Sequence, residues 1–377
     1  MKVAIFCHSI VSDWNHGNAH FLRGVSRELI ARGHAVRVFE PRDGWSRRNL
    51  VSEHGPKPLE EFRRAFPDLQ STLYDLETFD VEGAVDGADL VLVHEWNDPR
   101  LVRRIGLARA RSSALRVLFH DTHHRSATQP REMGRYDLRH YDGVLAYGEV
   151  LRRAYLERGW TERAWTWHEA ADVRVFRPLL GRELAGELVW IGNWGDGERS
   201  AEVTEFLLEP AKALGVTGSV FGVRYPPDAR RAIAAAGLPY RGWVANHRVP
   251  EIFARHAVTV HIPRRPYVEA LPGIPTIRPF EALACGIPLV CSRWDDVDGL
   301  FTPGDDYLVA STGDQMRAHL SAVLRDRELA RHLAQHGRRT ILERHTCGHR
   351  VDELLAIAAE LGVETEQPAD VATRTVS

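Results

Sequence analysis

The chain has little cysteine, almost no lysine and no long apolar run, and each scarcity excludes a class of protein. Its four cysteines show no Cys-x-x-Cys spacing, which excludes a disulfide scaffold and predicts reduced thiols. Lysine occurs only at positions 2, 57 and 212, and 49 basic residues balance 51 acidic ones, so no general basic surface for nucleic acid is expected. The apolar segments are too short for a membrane span or a signal peptide. We therefore expect a cytoplasmic protein that neither binds nucleic acid nor spans a membrane.

Apolar strand-like runs alternate with amphipathic helix-like segments in two separate series. The 377 residues are enough for about two domains of ordinary size. Alternation of this kind predicts an α/β protein with doubly wound parallel sheets. The predicted strands of the first series are 2–8, 35–39, 88–94, 115–120 and 142–147, and those of the second are 187–192, 219–223, 258–262, 287–291 and 307–309.

A polar bend with an apolar plug and a proline separates the two series and is the best candidate for a domain boundary. We expect an N-terminal domain at 1–170, a crossover at 171–186 and a second domain at 187–345. A helix at 346–361 is expected to return towards the first domain, and the polar tail at 362–377 is expected to be disordered.

Residues 267–294 predict a loop, a short helix and a buried strand. Thr276 suits the N-cap and Gly286 a left-handed C-cap. The free N–H groups and the positive dipole end of such a helix can bind a phosphate or diphosphate. Arg278 adds a cation in the first turn, and the Glu281 carboxylate, one turn further on, could accept hydrogen bonds from a ribose diol. An ordinary capped helix with a solvated glutamate is the alternative.

Two polar segments lie where parallel sheets bind ligands, at or just after the carboxyl ends of strands. Gly17 and Asn18 precede the first helix, where a backbone could approach a ligand, although loop packing would explain them equally well. The fourth predicted strand ends at His120 and runs into a segment with Asp121, His123 and His124, so all four lie at its carboxyl end. Substrate hydrogen bonding is the expected role of this cluster. A metal is the alternative, but no companion carboxylate or cysteine has ligand spacing, so no metal site is predicted.

Four segments, in the same order, resemble those of the group 1 glycosyltransferases of GT-B architecture, most closely the CgeB-like branch. Residues 275–289 resemble the donor helix of that family, with Glu281 at the place of its ribose-binding glutamate. Residues 16–36 are similar to the glycine loop and first helix, 172–178 to the interdomain crossover and 190–194 to the opening of the donor domain. The resemblance covers about 350 residues and implies two Rossmann-like doubly wound parallel-sheet domains that face a cleft.

The function that the resemblance implies is glycosyl transfer from a nucleotide-diphosphate sugar, a UDP-, GDP- or dTDP-sugar, to a small-molecule or glycan acceptor. The second domain would hold the donor, without a metal or other cofactor. The implied donor-binding residues are Gly17, Asn18, Asn193, Arg199, Arg224, Gly273, Thr276, Ile277, Arg278 and Glu281. The catalytic candidates are His16, His120, Asp121 and His123, with His20 as a further possible base. Arg199, Arg224 and Arg278 would clamp the phosphates, or each would be a solvated arginine.

Two departures from the family pattern leave the stereochemistry open. Gly273 stands where the retaining members have the first of two glutamates, and Asn193 stands in place of their basic pair, with Arg199 as the nearest cation. Two other functions also remain open, a nucleotide-sugar epimerase of the same architecture and a non-catalytic nucleotide-sugar-binding protein. The sequence does not indicate an oligomeric state.

Overall fold

The computed structural model describes residues 1–365, so residues 366–377 of the predicted tail lie outside the described part. The N-terminal half of the molecule comprises β1 (Lys2–Phe6), α1 (Ala19–Ala31), β2 (Ala35–Pro41), α2 (Trp45–His54), α3 (Lys57–Ala65), β3 (Ser71–Tyr74), α4 (Val81–Val85), β4 (Leu90–His94), α5 (Pro99–Arg111), β5 (Arg116–Asp121), α6 (Arg125–Thr128), α7 (Pro130–Met133), β6 (Gly143–Ala146), α8 (Glu149–Glu157) and β7 (Ala164–Thr166).

The C-terminal half comprises β8 (Gly186–Ile191), α9 (Ser200–Val203), a π-helical turn (Thr204–Leu208), α10 (Glu209–Leu214), β9 (Gly218–Phe221), α11 (Pro227–Ala235), β10 (Tyr240–Gly242), a 3₁₀ turn (Asn246–Arg248), α12 (Val249–Phe253), β11 (His256–His261), α13 (Arg265–Ala270), α14 (Ile277–Cys285), β12 (Leu289–Ser292), β13 (Leu308–Ala310), α15 (Gly313–Arg325) and α16 (Arg327–Arg344). A last helix, α17 (Cys347–Glu360), follows.

The strands form two separate parallel sheets. The order is β3-β2-β1-β4-β5-β6-β7 in the first sheet and β10-β9-β8-β11-β12-β13 in the second. In each sheet the strand order reverses beside the first strand of its half, β1 or β8, which is the switch point where such sheets bind ligands. The predicted α/β class with two doubly wound parallel sheets is confirmed.

Three strands were not predicted from the sequence, and all three lie at sheet edges. β3, β7 and β10 have only three or four residues, most of them partly or fully exposed. An edge strand has one unpaired side and buries little apolar surface, so it needs no continuous apolar run. The interior strands do have such runs, and the sequence predicts those strands with small shifts at their ends.

The chain passes between the two halves twice. The first passage follows β7, and the second brings α17 back onto α1. Ala171 pairs with Thr346 in an isolated parallel bridge, and the Trp167 indole N–H donates to the Arg350 carbonyl at 2.8 Å. Gly24 of α1 makes room for the returning helix, since a Cβ there would lie 2.3 Å from the Cys347 sulfur.

One apolar cluster contains residues of both halves. It includes Phe21 of α1, Phe176 between the halves, Phe280 of α14 and Val351 of α17, all almost fully buried. Burial on this scale supplies the main favourable term in folding and fixes the helices against one another. Among residues 1–365, no helix combines the length and apolarity needed to cross a bilayer.

Candidate functional site

A cavity of about 800 Å³ lies between the two sheets, and the loops after their carboxyl ends form its wall. Many of the site residues predicted from the sequence line it: His16, Gly17, Asn18, His123, Asn193, Arg199, Arg224, Thr276, Ile277 and Arg278. Other predicted residues are not part of the wall: His20, His120, Asp121, Gly273 and Glu281. The fold thus gathers residues from both halves into one site.

The N-terminus of α14 opens into this cavity without a side-chain cap. Thr276 occupies the N-cap position, but its backbone has φ 62° and ψ −178° and its hydroxyl makes no capping hydrogen bond. The predicted N-cap position of Thr276 is confirmed, but its side chain does not cap, because a capping side chain needs a backbone near the β region to reach the N–H groups of the first turn. The uncapped helix end is the kind of site that binds an anion.

Backbone strain is concentrated around the cavity. Among residues 1–365, the non-glycine residues with positive φ are Asn15, Asp196, Arg224 and Thr276. Three of them line the cavity, and the Asp196 carboxylate pairs with the Arg224 guanidinium at 3.1 Å. Positive φ is a particular outlier for a β-branched residue such as Thr276, and strain of this kind clusters at functional sites.

Arg199 is a cation held in place in the wall. It donates to the backbone carbonyls of Asn193 (2.7 Å) and Ile262 (3.0 Å), and its guanidinium lies 5.1 Å from the centre of the Trp190 ring. Burial lowers the pKa of Arg199 to about 10, which leaves it charged at neutral pH. Its Nε is buried without a hydrogen-bond partner, so one donor of the guanidinium remains unused.

Two further arginines of the wall are each paired with a carboxylate. Arg264 donates to Glu198 at 2.7 Å, and Arg278 pairs with Glu281. A guanidinium has five N–H donors, so one carboxylate partner leaves others for a ligand.

Glu281 lies behind the wall. Its side chain is fully buried, and its Oε1 accepts hydrogen bonds from His20 Nδ1 (3.0 Å) and Asn246 Nδ2 (2.6 Å), while Oε2 is paired with Arg278. Burial raises the pKa of Glu281, but Arg278 and the two hydrogen bonds bring it below its ordinary value. The expectation that this carboxylate faces the cavity is not met here, because α1 and the Asn246 turn close over it.

His20 is fixed in one tautomer between three segments. The Asp172 backbone N–H donates to His20 Nε2 at 2.8 Å, so the ring proton is on Nδ1, which donates to Glu281. Both nitrogens are occupied. His20 therefore joins α1, the passage between the halves and α14, and in this structure it is not free to act as a base.

His120 and Asp121 end the interior strand β5 and remain inside the sheet. His120 pairs in register with His94, and Asp121 accepts from the Tyr155 hydroxyl (2.9 Å) and the His123 backbone (3.0 Å). Both are almost fully buried, which removes them from the cavity wall. The sequence places them correctly at the carboxyl end of the strand but does not show that the next loop covers them.

Gly273 also lies off the cavity. Its φ is 90°, and the Asp298 carboxylate occupies the space of a side chain, so that a Cβ would lie 2.7 Å from the Asp298 Cγ. The Asp298 carboxylate also accepts from the Glu149 backbone N–H of the other half, at 3.0 Å. Gly273 is thus needed where the two halves meet, and in this structure it has no access to a ligand in the cavity.

Sequence reasoning missed several residues of the wall. His8, Trp45 and Trp96 lie on the N-terminal side, and the two tryptophans are 39% and 42% exposed. Asp13 bridges the halves by accepting from Trp243 Nε1 at 3.1 Å and from the Asn246 backbone at 3.0 Å. The sequence does show that these residues follow predicted strands, but residues that follow strands have no regular spacing by which the site residues among them could be recognised.

Glu169 is the most informative of the missed residues. It lines the cavity, is 6% exposed, and its Oε1 accepts a hydrogen bond from Asn18 Nδ2 at 2.9 Å. Burial raises the pKa of Glu169 to about 7; the Asn18 hydrogen bond lowers it and the charge of Glu281 raises it further. In the sequence this residue falls within the bend that marks the domain boundary, which hides its place in the site.

The histidines of the wall are uncharged at neutral pH. Burial lowers the pKa of His8 to about 4 and those of His16 and His123 well below the ordinary value. His16 Nε2 is buried without a partner. Among the described residues, no group of three or more His, Cys, Asp or Glu side chains is arranged to hold a metal ion.

Residues 199–356 match the family model described as glycosyl transferase-like, and none of the curated proteins searched matches the chain. Solved structures are similar over almost the full length. They include sucrose-phosphate synthase from Thermosynechococcus elongatus (15% identity, 96% of this chain and 99% of that chain, TM-score 0.64). A second is Anabaena Alr3699/HepE in complex with UDP and glucose (15% identity, 96% of this chain and 100% of that chain, TM-score 0.65). A third is an alpha-glucosyltransferase in complex with UDP-glucose and DNA containing an abasic site (13% identity, 95% of this chain and 99% of that chain, TM-score 0.71). This likeness shows that the chain has the two-domain GT-B fold.

Proposed function

We propose that the protein is a glycosyltransferase that moves a sugar from a nucleotide-diphosphate donor to an acceptor hydroxyl within the cleft. The observation that supports this most is the strained, uncapped N-terminus of α14, which opens into a cavity between two parallel sheets with Arg278 in its first turn. The glycosyl transferase-like match includes this helix, and structures of similar fold were solved with UDP or UDP-glucose.

In this proposal the C-terminal half holds the donor diphosphate without a metal ion. Charge builds up on the diphosphate as the glycosidic bond breaks, and fixed donors stabilise that charge most effectively. The first-turn N–H groups of α14 and the guanidinium groups of Arg199, Arg264 and Arg278 would supply such donors from the cavity wall. Arg224, 40% exposed at the side chain, would act from the rim.

Glu281 would bind the ribose only after a local exchange of partners. In the structure described, Asn246 and Arg278 occupy its oxygens. A donor that draws Arg278 towards its diphosphate would free Oε2 for a ribose hydroxyl. We therefore propose that nucleotide binding and the release of the Arg278–Glu281 pair occur together.

The acceptor would lie against the N-terminal half. His8, His16 and His123 supply neutral hydrogen-bonding groups there, and Trp45 and Trp96 supply exposed aromatic surface. Three of the similar structures, all of alpha-glucosyltransferase, contain DNA, but the nearly balanced charge of this chain leads us to propose a small molecule or glycan instead. The hydroxyl oxygen of the acceptor would form the bond to C1 as the bond from C1 to the diphosphate breaks.

A thermal-shift panel of UDP, GDP, dTDP and ADP, each with and without its sugar, tests the donor assignment. A specific ligand at 100 times its dissociation constant stabilises a fold by about 2.7 kcal/mol. Donor consumption is then measured with and without a set of acceptors. Change of the donor alone would indicate an epimerase, binding without turnover a non-catalytic protein, and no nucleotide binding at all would overturn the proposal.

A further inference from the structure

We propose that Glu169 is the catalytic base that removes the proton from the acceptor hydroxyl, so that transfer inverts the anomeric configuration. This inference rests on the proposed function and adds a residue and a stereochemical outcome to it. Two features lead to it: the free oxygen of Glu169 in the cavity wall, and the unsuitability of the neighbouring histidines.

Three carboxylates line the cavity, and two of them are paired with arginines. Asp13 binds Arg23 at 2.8 Å as well as the Trp243 and Asn246 N–H groups, and Glu198 binds Arg264. Within residues 1–365, Glu169 has one hydrogen-bond partner, Asn18, on Oε1. Its second oxygen is therefore available to a substrate hydroxyl in the cavity.

The histidines of the cleft are poorer candidates. His20 has both ring nitrogens occupied, and His120 is buried off the cavity. His16 and His123 do line it, but burial makes both weak bases at neutral pH because their pKa values lie well below the ordinary one. A base works best when its pKa lies near the operating pH, and that of Glu169, about 7, meets this condition.

The groups that face Glu169 do not neutralise it with a cation. Glu281 of α14 raises its pKa, and Asn18 at the head of α1 lowers it by a hydrogen bond. Tyr147, which follows β6, and Tyr267 of α13 are the other titratable groups that interact with its charge. Burial keeps both tyrosines protonated, with pKa values above the ordinary one, so Glu169 titrates among neutral groups and one carboxylate.

The step balances without another reactant. The acceptor oxygen bonds to C1 of the sugar, and its proton moves to Glu169 Oε2. The bond from C1 to the diphosphate oxygen breaks, and its electron pair leaves with the diphosphate at the α14 side. Asn18 holds Oε1 and so orients the carboxylate. For inversion, the acceptor oxygen must approach C1 from the face opposite the leaving diphosphate.

The test compares Glu169→Gln, Glu169→Asp and the control Glu269→Gln, an exposed glutamate on α13. The glutamine side chain keeps an oxygen for Asn18 but cannot take a proton. We expect Glu169→Gln to lower the kcat of transfer by about 100-fold or more while the dissociation constant of the nucleotide changes less than twofold. Glu169→Asp should retain part of the rate, and the control should match the wild type.

Two further readouts separate a base from a structural role. In the wild type, kcat/KM should fall on the acid side of a pH near 7, and this limb should be absent in Glu169→Gln. Nuclear magnetic resonance of the fresh product should show the inverted anomer. Near-normal transfer by Glu169→Gln, an unchanged acid limb, lost nucleotide binding or a retained configuration would each overturn the role of Glu169 and leave the glycosyltransferase assignment standing. No transfer by the wild type with any donor would overturn both.

Discussion

The two helices that open into the cleft, α1 and α14, begin alike but have different surroundings. Neither has a side-chain cap, and the N-cap residues Asn18 and Thr276 both line the cavity. Around α1 lie neutral imidazoles and the carboxylates of Asp13 and Glu169, whereas around α14 lie arginines. A free helix end thus has different neighbours on the two sides: arginines paired with carboxylates at α14, and imidazoles and carboxylates at α1. The α14 side suits an anionic ligand, and the α1 side supplies a group that can accept a proton.

The two helix ends are also in contact. A Cβ on Gly17 would lie 3.2 Å from the Ile277 side chain, and His20 binds Glu281 at 3.0 Å. The two helix ends therefore have different polar neighbours although they lie in direct contact with each other. Substitutions at these ends should separate the contribution of each side, and the following four are arranged from the largest expected effect to the smallest.

Glu281→Ala removes the carboxylate that joins the two helix ends. It leaves the His20 Nδ1–H, the Asn246 amide and Arg278 without that partner in a buried site. We expect the free energy of unfolding in urea to fall by about 3–5 kcal/mol. If the carboxylate also binds ribose, nucleotide affinity should fall roughly 10- to 150-fold in calorimetric titration. The exposed Glu343 of α16 gives the control Glu343→Ala, and a loss below 1 kcal/mol would contradict the described contacts.

Arg278→Ala tests the anion side. Removing one preorganised donor at a developing negative charge typically costs about 100- to 1000-fold in kcat. We expect a loss of this size in transfer, together with weaker UDP binding that depends less on salt than in the wild type. Arg317→Ala, in the exposed part of α15, is the matched control. Equal salt dependence in the Arg278 variant and the wild type would remove this arginine from the diphosphate site.

Glu169→Gln should make the protein more stable at alkaline pH. The pKa of this buried carboxyl is about 7 in the folded state against an ordinary value of 4.5, so the folded state binds the proton more tightly than the unfolded state. Stability therefore falls as the pH rises from about 4.5 to about 7. The variant should exceed the wild type by up to about 3 kcal/mol at pH 8 and by nothing at pH 4. Melting curves at the two pH values decide, and a pH-independent difference would contradict the raised pKa.

Thr276→Gly should relieve the strain at the head of α14. A non-glycine residue in this backbone region destabilises the folded state by about 1–3 kcal/mol. Glycine removes this strain, but its greater conformational freedom in the unfolded state cancels part of the gain. We expect a gain of about 1 kcal/mol with nucleotide affinity unchanged within twofold. Thr312→Gly is the contrast, since Thr312 caps α15 with negative φ and accepts a hydrogen bond from the Gln315 N–H. That variant should lose stability, and equal effects at both sites would argue against strain at Thr276.

Much of the strand and helix arrangement could be predicted from the sequence, because local patterns of residues determine it. The apolar runs indicated the interior strands, and Gly286 has the left-handed C-cap conformation expected from its place after α14. The partners of Glu281 were not predictable, since His20 and Asn246 come from distant parts of the chain. Glu169 was missed for the same reason. Its properties depend on Asn18 and Glu281, and neither lies near it in the sequence.

The return of α17 to α1 affects how the chain can be made. During synthesis Cys347, which fills the space beside Gly24, is added roughly 320 residues after Gly24. At roughly 5–20 residues per second, the ribosome leaves that side of α1 uncovered for on the order of tens of seconds. A chain interrupted before α17 would keep an open apolar groove on its earliest helix, and chaperones and proteases recognise surfaces of this kind.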